Sequence, residues 1–210
     1  MEAQNGMDPE KTVLRVTSFG TLSIVRLEPK IGHTGISNAN EVSVFSDKAQ
    51  GRGTALALTL LKVLLCQPLR FASRDLLMET LWPDHPRGKA QARLDDTASV
   101  LRTLLRSISG SRENLLPSVH CSRESGNGYR LAPYPLVWVD MDAFLWNVEQ
   151  AARMERFGDD PLPYWERAYA LASRGTFLAD ELYSEWARER RELLTGQYRQ
   201  CCASTRSSLP

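Results

Sequence analysis

The chain has 210 residues, 42% of them apolar and 24% charged, with a formal net charge of +1. That composition belongs to an ordinary globular protein with room for two small cores, and it argues against fibrous, low-complexity and membrane-embedded classes. Charge is segregated: residues 51–132 carry 12 Lys and Arg against 7 Asp and Glu, whereas residues 133–210 carry 9 against 12. Moderate basicity fits a module that touches a few phosphates, and the acidic half is better suited to protein partners. The cysteines Cys66, Cys121, Cys201 and Cys202 make no CxxC pair, so reduced thiols are expected, with no disulfide framework and no metal site. There is no run of ~18 apolar residues and no basic start followed by an apolar core, so a cytoplasmic protein with no membrane contact is expected.

Residues 1–12 are polar. Val13 to Phe19 and Thr21 to Leu27 are β-rich segments on either side of Gly20 and predict a hairpin, and Glu41 to Phe45 predicts a third short strand. His33 sits alone in the Gly/Asn/Ser loop between them and reads as an exposed loop residue. Gly51-Arg52-Gly53 opens a strongly apolar helix with a stripe of Leu56, Leu60, Val63 and Leu64, which Pro68 ends. The glycine pair lacks the GK[ST] ending of a phosphate loop. Ser73 is placed as the N-cap of a helix from Arg74 to Trp82.

The most informative stretch runs from Lys89 to Arg130. From Lys89 to Ile108 the apolar residues Leu94, Ala98, Leu101 and Leu105 recur at helical spacing and predict one buried stripe. Asp96, Ser99, Val100 and Thr103 point away from that stripe, while Arg93, Arg102 and Arg106 lie toward its sides. Asp95 reads as a first-turn charge that suits the helix dipole. Leu115 to Ser122 and Tyr129 to Ala132 predict two strands, with Gly126-Asn127-Gly128 supplying positive-φ positions for a tight turn. A helix with a small outward face and basic flanks, followed by a glycine-tipped ribbon, has the shape of a winged-helix DNA reader.

Pro133 and Pro135 mark the join between the halves. Val137 to Val139 completes a short strand, and Asp140 or Asp142 is placed to cap a helix running to about Arg156. Tyr164 to Arg174 and Glu181 to Thr205 predict two further helices. The aromatics Trp165, Tyr169, Phe177, Tyr183 and Trp186 read as core and inter-helix packing. Helix pairs joined by short polar breaks are the unit of tetratricopeptide-like repeats, although the strict signature is not visible here. About three repeats are usually needed to bury a solenoid core, so the helical half is expected either to continue beyond residue 210 or to be covered by a partner.

No catalytic constellation emerges, and no enzyme and no cofactor are expected. Trp82-Pro83-Asp84 matches the acid loop of tyrosine phosphatases in three letters, but no cysteine has an arginine six residues on. His33, His85 and His120 lie outside any HExxH or GxSxG context.

The motifs also carry a family resemblance. Ala98-Ser99-Val100-Leu101-Arg102-Thr103-Leu104-Leu105 resembles the recognition helix of OmpR-type winged-helix domains, Gly126-Asn127-Gly128-Tyr129-Arg130-Leu131 resembles their wing, and the N-terminal strands resemble their β-platform. Arg74-Asp75-Leu76-Leu77 to Leu81-Trp82-Pro83-Asp84 is similar to the second helix of the Streptomyces antibiotic regulatory proteins (SARPs), and Val139-Asp140-Met141-Asp142-Ala143-Phe144 resembles the start of their bacterial transcriptional activator domain. The resemblance implies a mainly α fold with small β elements. An N-terminal winged helix-turn-helix over 13–133 (β-platform, three helices, wing hairpin) would precede a tetratricopeptide-like helical domain over 137–206. It implies a sequence-specific transcriptional regulator, an activator that binds double-stranded DNA as a homodimer on direct repeats and recruits RNA polymerase. On that reading Lys89, Arg93, Arg102, Arg106 and Arg123 contact phosphates, and Ser99, Val100 and Thr103 contact base edges. The family usually has arginine at the two outward positions held here by Val100 and Thr103. That departure keeps open a second expectation, a protein–protein module whose winged helix no longer reads DNA.

Overall fold

The computed structural model describes residues 12–26, 52–120 and 126–207. The expected strand Glu41 to Phe45, His33 and Arg123 lie outside the described residues. Two small sheets and six α-helices make up the described part. Strands β1 (Leu14–Thr17) and β2 (Ser23–Arg26) form the expected antiparallel hairpin, with Leu14 opposite Arg26 and Val16 opposite Ile24. Alternation sets the register, since Leu14 and Val16 point into the core while their neighbours are half-buried. Helix α1 (Arg52–Cys66) is apolar nearly all round, and every residue from Leu60 to Cys66 is buried, so it forms the centre of the molecule.

A tight turn over Pro68–Arg70, with Leu69 and Arg70 at φ of +52° and +56°, leads into β3 (Phe71–Ser73) and α2 (Arg74–Leu81). Ser73 caps α2 as expected, its Oγ accepting from the Leu76 amide at 3.2 Å. Helix α3 (Arg87–Ser109) follows, then β4 (Ser118–His120) and β5 (Asn127–Arg130). Strand β4 starts three residues later than the spacing predicts and β5 two residues earlier; the Leu115 and Leu116 side chains are buried, and the ribbon's backbone pairing extends to them, the Ala132 amide donating to the Leu115 carbonyl at 2.9 Å. The two strands form a sheet ordered β3-β5-β4, so the ribbon is anchored to a strand ahead of α2 that periodicity did not reveal. Of the two turn glycines only Gly126 has positive φ, at +62°. Gly128 is needed for a different reason: a Cβ there would sit 2.2 Å from the Ala72 carbonyl oxygen across the β3–β5 pair.

Strand β6 (Val137–Val139) crosses back to lie parallel to β1, giving a sheet ordered β2-β1-β6. All three of its residues are buried, the continuous apolar run of a strand covered on both faces. Helices α4 (Asp140–Phe157), α5 (Leu162–Ala172) and α6 (Glu185–Ser207) then pack in succession. Phe144, Val148, Ala151, Trp165 and Ala168 are buried at their seams. Trp165 and Phe177 are core residues, but Tyr183 is 98% exposed and Tyr169 stacks on Tyr198 at the surface. Tyr183 lies in the irregular stretch before α6, where no helix period directs its side chain inward, which corrects its expected role in packing.

Polar ties weld the helical half to the sheet. Asp140 does not act as the N-cap; it is the first residue of α4, and its fully buried carboxylate accepts from the Ser18 amide at 2.8 Å and the Ser18 hydroxyl at 2.6 Å. It also accepts from the amides of Phe19 at 3.0 Å and Met141 at 2.8 Å. Burial pushes this carboxyl above the usual aspartate range, and the four donors work against that rise. The buried Arg70 guanidinium pairs with Asp142 at 3.0 Å and donates to the Val137 carbonyl at 3.3 Å. Lys62, 4% exposed on α1, reaches Asp180, and Glu181 at 3.0 Å, in a short 3-10 turn over Ala179–Glu181. Burial alone would lower its pKa, but the bonds to the two carboxylates outweigh it and leave it raised.

Replacing Asp140 by Ala would leave three buried backbone amides without their acceptor, at ~1–3 kcal/mol for each unsatisfied donor. Urea denaturation of Asp140→Ala is therefore expected to show a loss of about 3 kcal/mol or more. A midpoint equal to wild type would mean that other acceptors replace the carboxylate.

Candidate nucleic-acid interface

The surface best suited to a ligand is the outward face of α3. The helix starts after Pro86, two residues earlier than expected, and ends at Gly110, whose left-handed backbone (φ +62°) lets its amide reach the Arg106 carbonyl at 2.9 Å. Leu94, Ala98, Leu101 and Leu105 are buried against the rest of the domain, matching the expected stripe, and Ala90 is buried one turn before them. Lys89, Arg93, Asp96, Ser99, Val100, Thr103 and Arg106 are all exposed, as their spacing predicts. At about 100° per residue, Asp96 lies at the centre of that face, with Val100 about 40° to one side and Thr103 about 20° to the other. The Thr103 hydroxyl donates to the Ser99 carbonyl at 3.0 Å, which occupies its proton and turns its methyl group away from the backbone. Lys89, Arg93 and Arg106 have no ion-pair partner among the described residues, so their charges are available to a ligand.

The fourth expected phosphate contact behaves differently. Arg102 is half-buried, donating from Nε to the Leu116 carbonyl at 3.0 Å and from Nη2 to the Ser118 hydroxyl at 3.1 Å, with its guanidinium 5.2 Å from the centre of the Tyr129 ring. It joins α3 to the ribbon. The Tyr129 hydroxyl donates to Asp95 at 2.8 Å and accepts from Arg74 at 2.8 Å, and Arg74 pairs with Asp95 at 2.7 Å. Asp95 is therefore no first-turn charge: α3 has already run for two turns before it, and its carboxylate is spent on a tertiary contact. One aromatic ring and three charged groups thus fix α2, α3 and β5 relative to one another.

The hydrogen bond from Arg74 holds the Asp95 carboxyl below its usual range, with the Tyr129 hydroxyl adding to the effect. Burial raises the Tyr129 phenol, and the Asp95 carboxylate raises it further. Beside this cluster a shallow polar cleft is lined by Ser73, Arg74, Asp75, Arg87, Gln91 and Asn127. Its Arg87–Asp75 pair at 2.9 Å is largely exposed and contributes little to stability. Sequence reasoning passed over Arg74, Arg87, Gln91 and Asn127. A signal existed for Arg74, since a cation in the first turn of a helix opposes the dipole unless a tertiary partner holds it. No group of His, Cys, Asp and Glu among the described residues could hold a metal ion, and no described helix is long and apolar enough to cross a membrane.

A lowered carboxyl pKa in the folded state adds stability that is present above the unfolded pKa and is lost as pH falls through the folded one. The melting temperature of wild type minus that of Asp95→Asn is thus expected to be positive and constant near neutrality and to shrink below about pH 4. A difference that stays constant down to pH 2 would show that the Arg74–Asp95–Tyr129 cluster carries no pH-dependent stability.

No protein-family model matches the chain, and no curated protein is found to be similar to it. Its structure is similar to that of Mycobacterium tuberculosis EmbR in complex with a low affinity phosphopeptide, with a TM-score of 0.59 at 18% sequence identity. The match covers 92% of this chain and 44% of that one, so the chain spans less than half the length of EmbR. At this identity the likeness speaks for the fold alone, which the described residues share with the matched part of EmbR.

Proposed function

We propose that the protein is a DNA-binding transcriptional regulator that lays α3 in the major groove and steadies it with the β4–β5 ribbon. The observation that carries this reading is the outward face of α3. Three cations without ion-pair partners among the described residues, Lys89, Arg93 and Arg106, surround small and polar side chains on a helix whose opposite stripe of Leu94, Ala98, Leu101 and Leu105 is buried. Lys89, Arg93 and Arg106 contact phosphates and set the helix in register, while Ser99, Val100 and Thr103 face base edges. Arg102 and Tyr129 serve the same end by holding the ribbon at a fixed angle to the helix. Arg123, which lies between β4 and β5 in sequence, belongs to the same proposal as a phosphate contact. The protein works in the cytoplasm as an activator, bound as a homodimer to direct repeats and recruiting RNA polymerase.

The acidic helical half supplies protein contacts. What supports this is its exposed Leu182, Tyr183 and Leu193, together with the phosphopeptide complex of the similar EmbR chain. A second reading, a protein-binding module whose winged helix has left DNA, is favoured by one observation, the Asp96 carboxylate in the middle of the outward face.

The two readings separate on salt. Binding to a random duplex through Z phosphates is expected to weaken with a log–log slope of about −0.9Z, and Arg93→Ala and Arg106→Ala are each expected to flatten that slope by ~1 for every sequence alike. Absence of duplex binding at low salt would leave the second reading standing. A change of preferred sequence with an unchanged slope would reassign the arginine to base contact.

A further inference from the structure

Asp95 and Asp96 are adjacent in sequence and opposite in circumstance. Asp95 is tied to Arg74 and Tyr129, whereas Asp96 is exposed with no hydrogen bond or ion pair among the described residues. A carboxylate at the centre of a face flanked by three cations repels the phosphates that those cations attract, so electrostatics alone gives it no place there. On a base edge it has one. From Asp96 to Val100 is about 6 Å along the helix axis and from Val100 to Thr103 about 4.5 Å. Val100 presents two methyl groups, and Thr103 presents one because its hydroxyl is bonded to Ser99.

Resting on the proposal that α3 reads DNA, we infer that Asp96 is the specificity-determining residue of the face, selecting cytosine, and that Val100 and Thr103 select thymine beside it. An ionised carboxylate only accepts hydrogen bonds. The major-groove donors are the N4 amino group of cytosine and the N6 amino group of adenine. Adenine sets its donor beside the N7 acceptor of the same edge, which repels a carboxylate, and cytosine does not. The C5 methyl of thymine is the one apolar group on the groove floor, and it suits Val100 and the Thr103 methyl. With the helix axis along the groove and base pairs ~3.4 Å apart, the spacings place a thymine about two base pairs from the cytosine, and a second one to two base pairs further on.

Selection of bound sequences from a random duplex pool at ~100 mM salt, with the full chain as wild type, Asp96→Asn and Asp96→Ala, tests this. Wild type is expected to enrich a motif with cytosine at one position and thymine about two base pairs away. Asp96→Asn is expected to convert that cytosine to adenine, which an amide contacts through N6 and N7, at a fold-change of about five or more in relative affinity. Asp96→Ala is expected to make the position indifferent while keeping the thymines, and to tighten binding to random duplex at low salt. Replacing the thymines by uracil, which lacks the methyl, is expected to weaken wild type about twofold to fivefold and to leave Val100→Ala/Thr103→Ser unaffected. Because the Asp96 side chain is exposed and unpartnered, its variants are expected to melt like wild type, which keeps folding out of the comparison. A wild-type motif that survives Asp96→Ala unchanged, or one without cytosine, would overturn the inference while leaving DNA reading intact. No enriched motif and no salt-dependent binding would overturn both.

Discussion

The carboxylate of Asp140 accepts from the Ser18 amide and hydroxyl and from the amides of Phe19 and Met141, at the point where the N-terminal hairpin, β6 and α4 converge. Neither the β1–β2 turn nor the start of α4 has another acceptor for these donors among the contacts described, and a buried amide without one is costly. The turn is held from its far side as well, by backbone bonds from Leu178 to Ser18 at 2.8 Å and from Gly20 to Thr176 at 3.0 Å. A short turn of the N-terminal hairpin is therefore enclosed by the helical half. The Pro133–Pro135 stretch, which reads in sequence as a join between two domains, leads directly into β6 and its parallel pairing with β1. The covered strand lies just past that join, at Val137–Val139.

Two further ties extend this constraint toward the outward face of α3. Arg70 joins Asp142 at the start of α4 to the Val137 carbonyl, and its own carbonyl accepts from the Leu131 amide just beyond β5 at 3.1 Å. From β5 the contact passes through Tyr129 to Asp95 and Arg102 on α3. Lys62 ties the central helix to Asp180 and Glu181, and removing one partner of so buried an ion pair costs far more than the pair itself contributes. The helical half is thus attached through short buried contacts at three places, and its orientation relative to α3 is set by the fold.

The sequence made the local features legible and left the long-range ones hidden. Leu94, Ala98, Leu101 and Leu105 are buried where their spacing places them, because a helical period reports directly which face meets the core. Ser73 caps α2 for an equally local reason, a side-chain oxygen three residues from the amide that it satisfies. Asp95 reads in sequence as a first-turn charge, and Asp140 or Asp142 as an N-cap, because the Tyr129 partner of Asp95 and the Ser18 partner of Asp140 lie 34 and 122 residues away and local chemistry says nothing of them. Gly128 was assigned to turn geometry when the constraint on it is steric, the approach of β3. Strand β3, three residues long, is too short for its alternation to stand out. The outward face of α3 was readable because exposure is the complement of a buried stripe, but the fate of Arg102 depended on where the ribbon lands.

If α3 reads DNA as proposed, the composition of its outward face sets what a single copy can achieve. Bidentate arginine contacts to guanine contribute ~1–3 kcal/mol of discrimination each, and α3 has Val100 and Thr103 where they would stand. A carboxylate and methyl groups discriminate through single contacts, so each base position adds less, while Lys89, Arg93 and Arg106 bind any sequence alike. A useful specificity ratio then requires the discriminations of two copies to add on one stretch of DNA. If the protein binds direct repeats as proposed, its copies stand head to tail, so the surface that meets the next copy differs from the surface that it meets. With the helical half fixed by Asp140, Asp142 and Lys62, its position beside α3 is the same in each copy, and the spacing at which neighbouring copies fit becomes a property of the fold. The buried polar ties that hold the halves together would in this way set the repeat length that the protein recognises, a contribution to specificity made by residues that never approach a base.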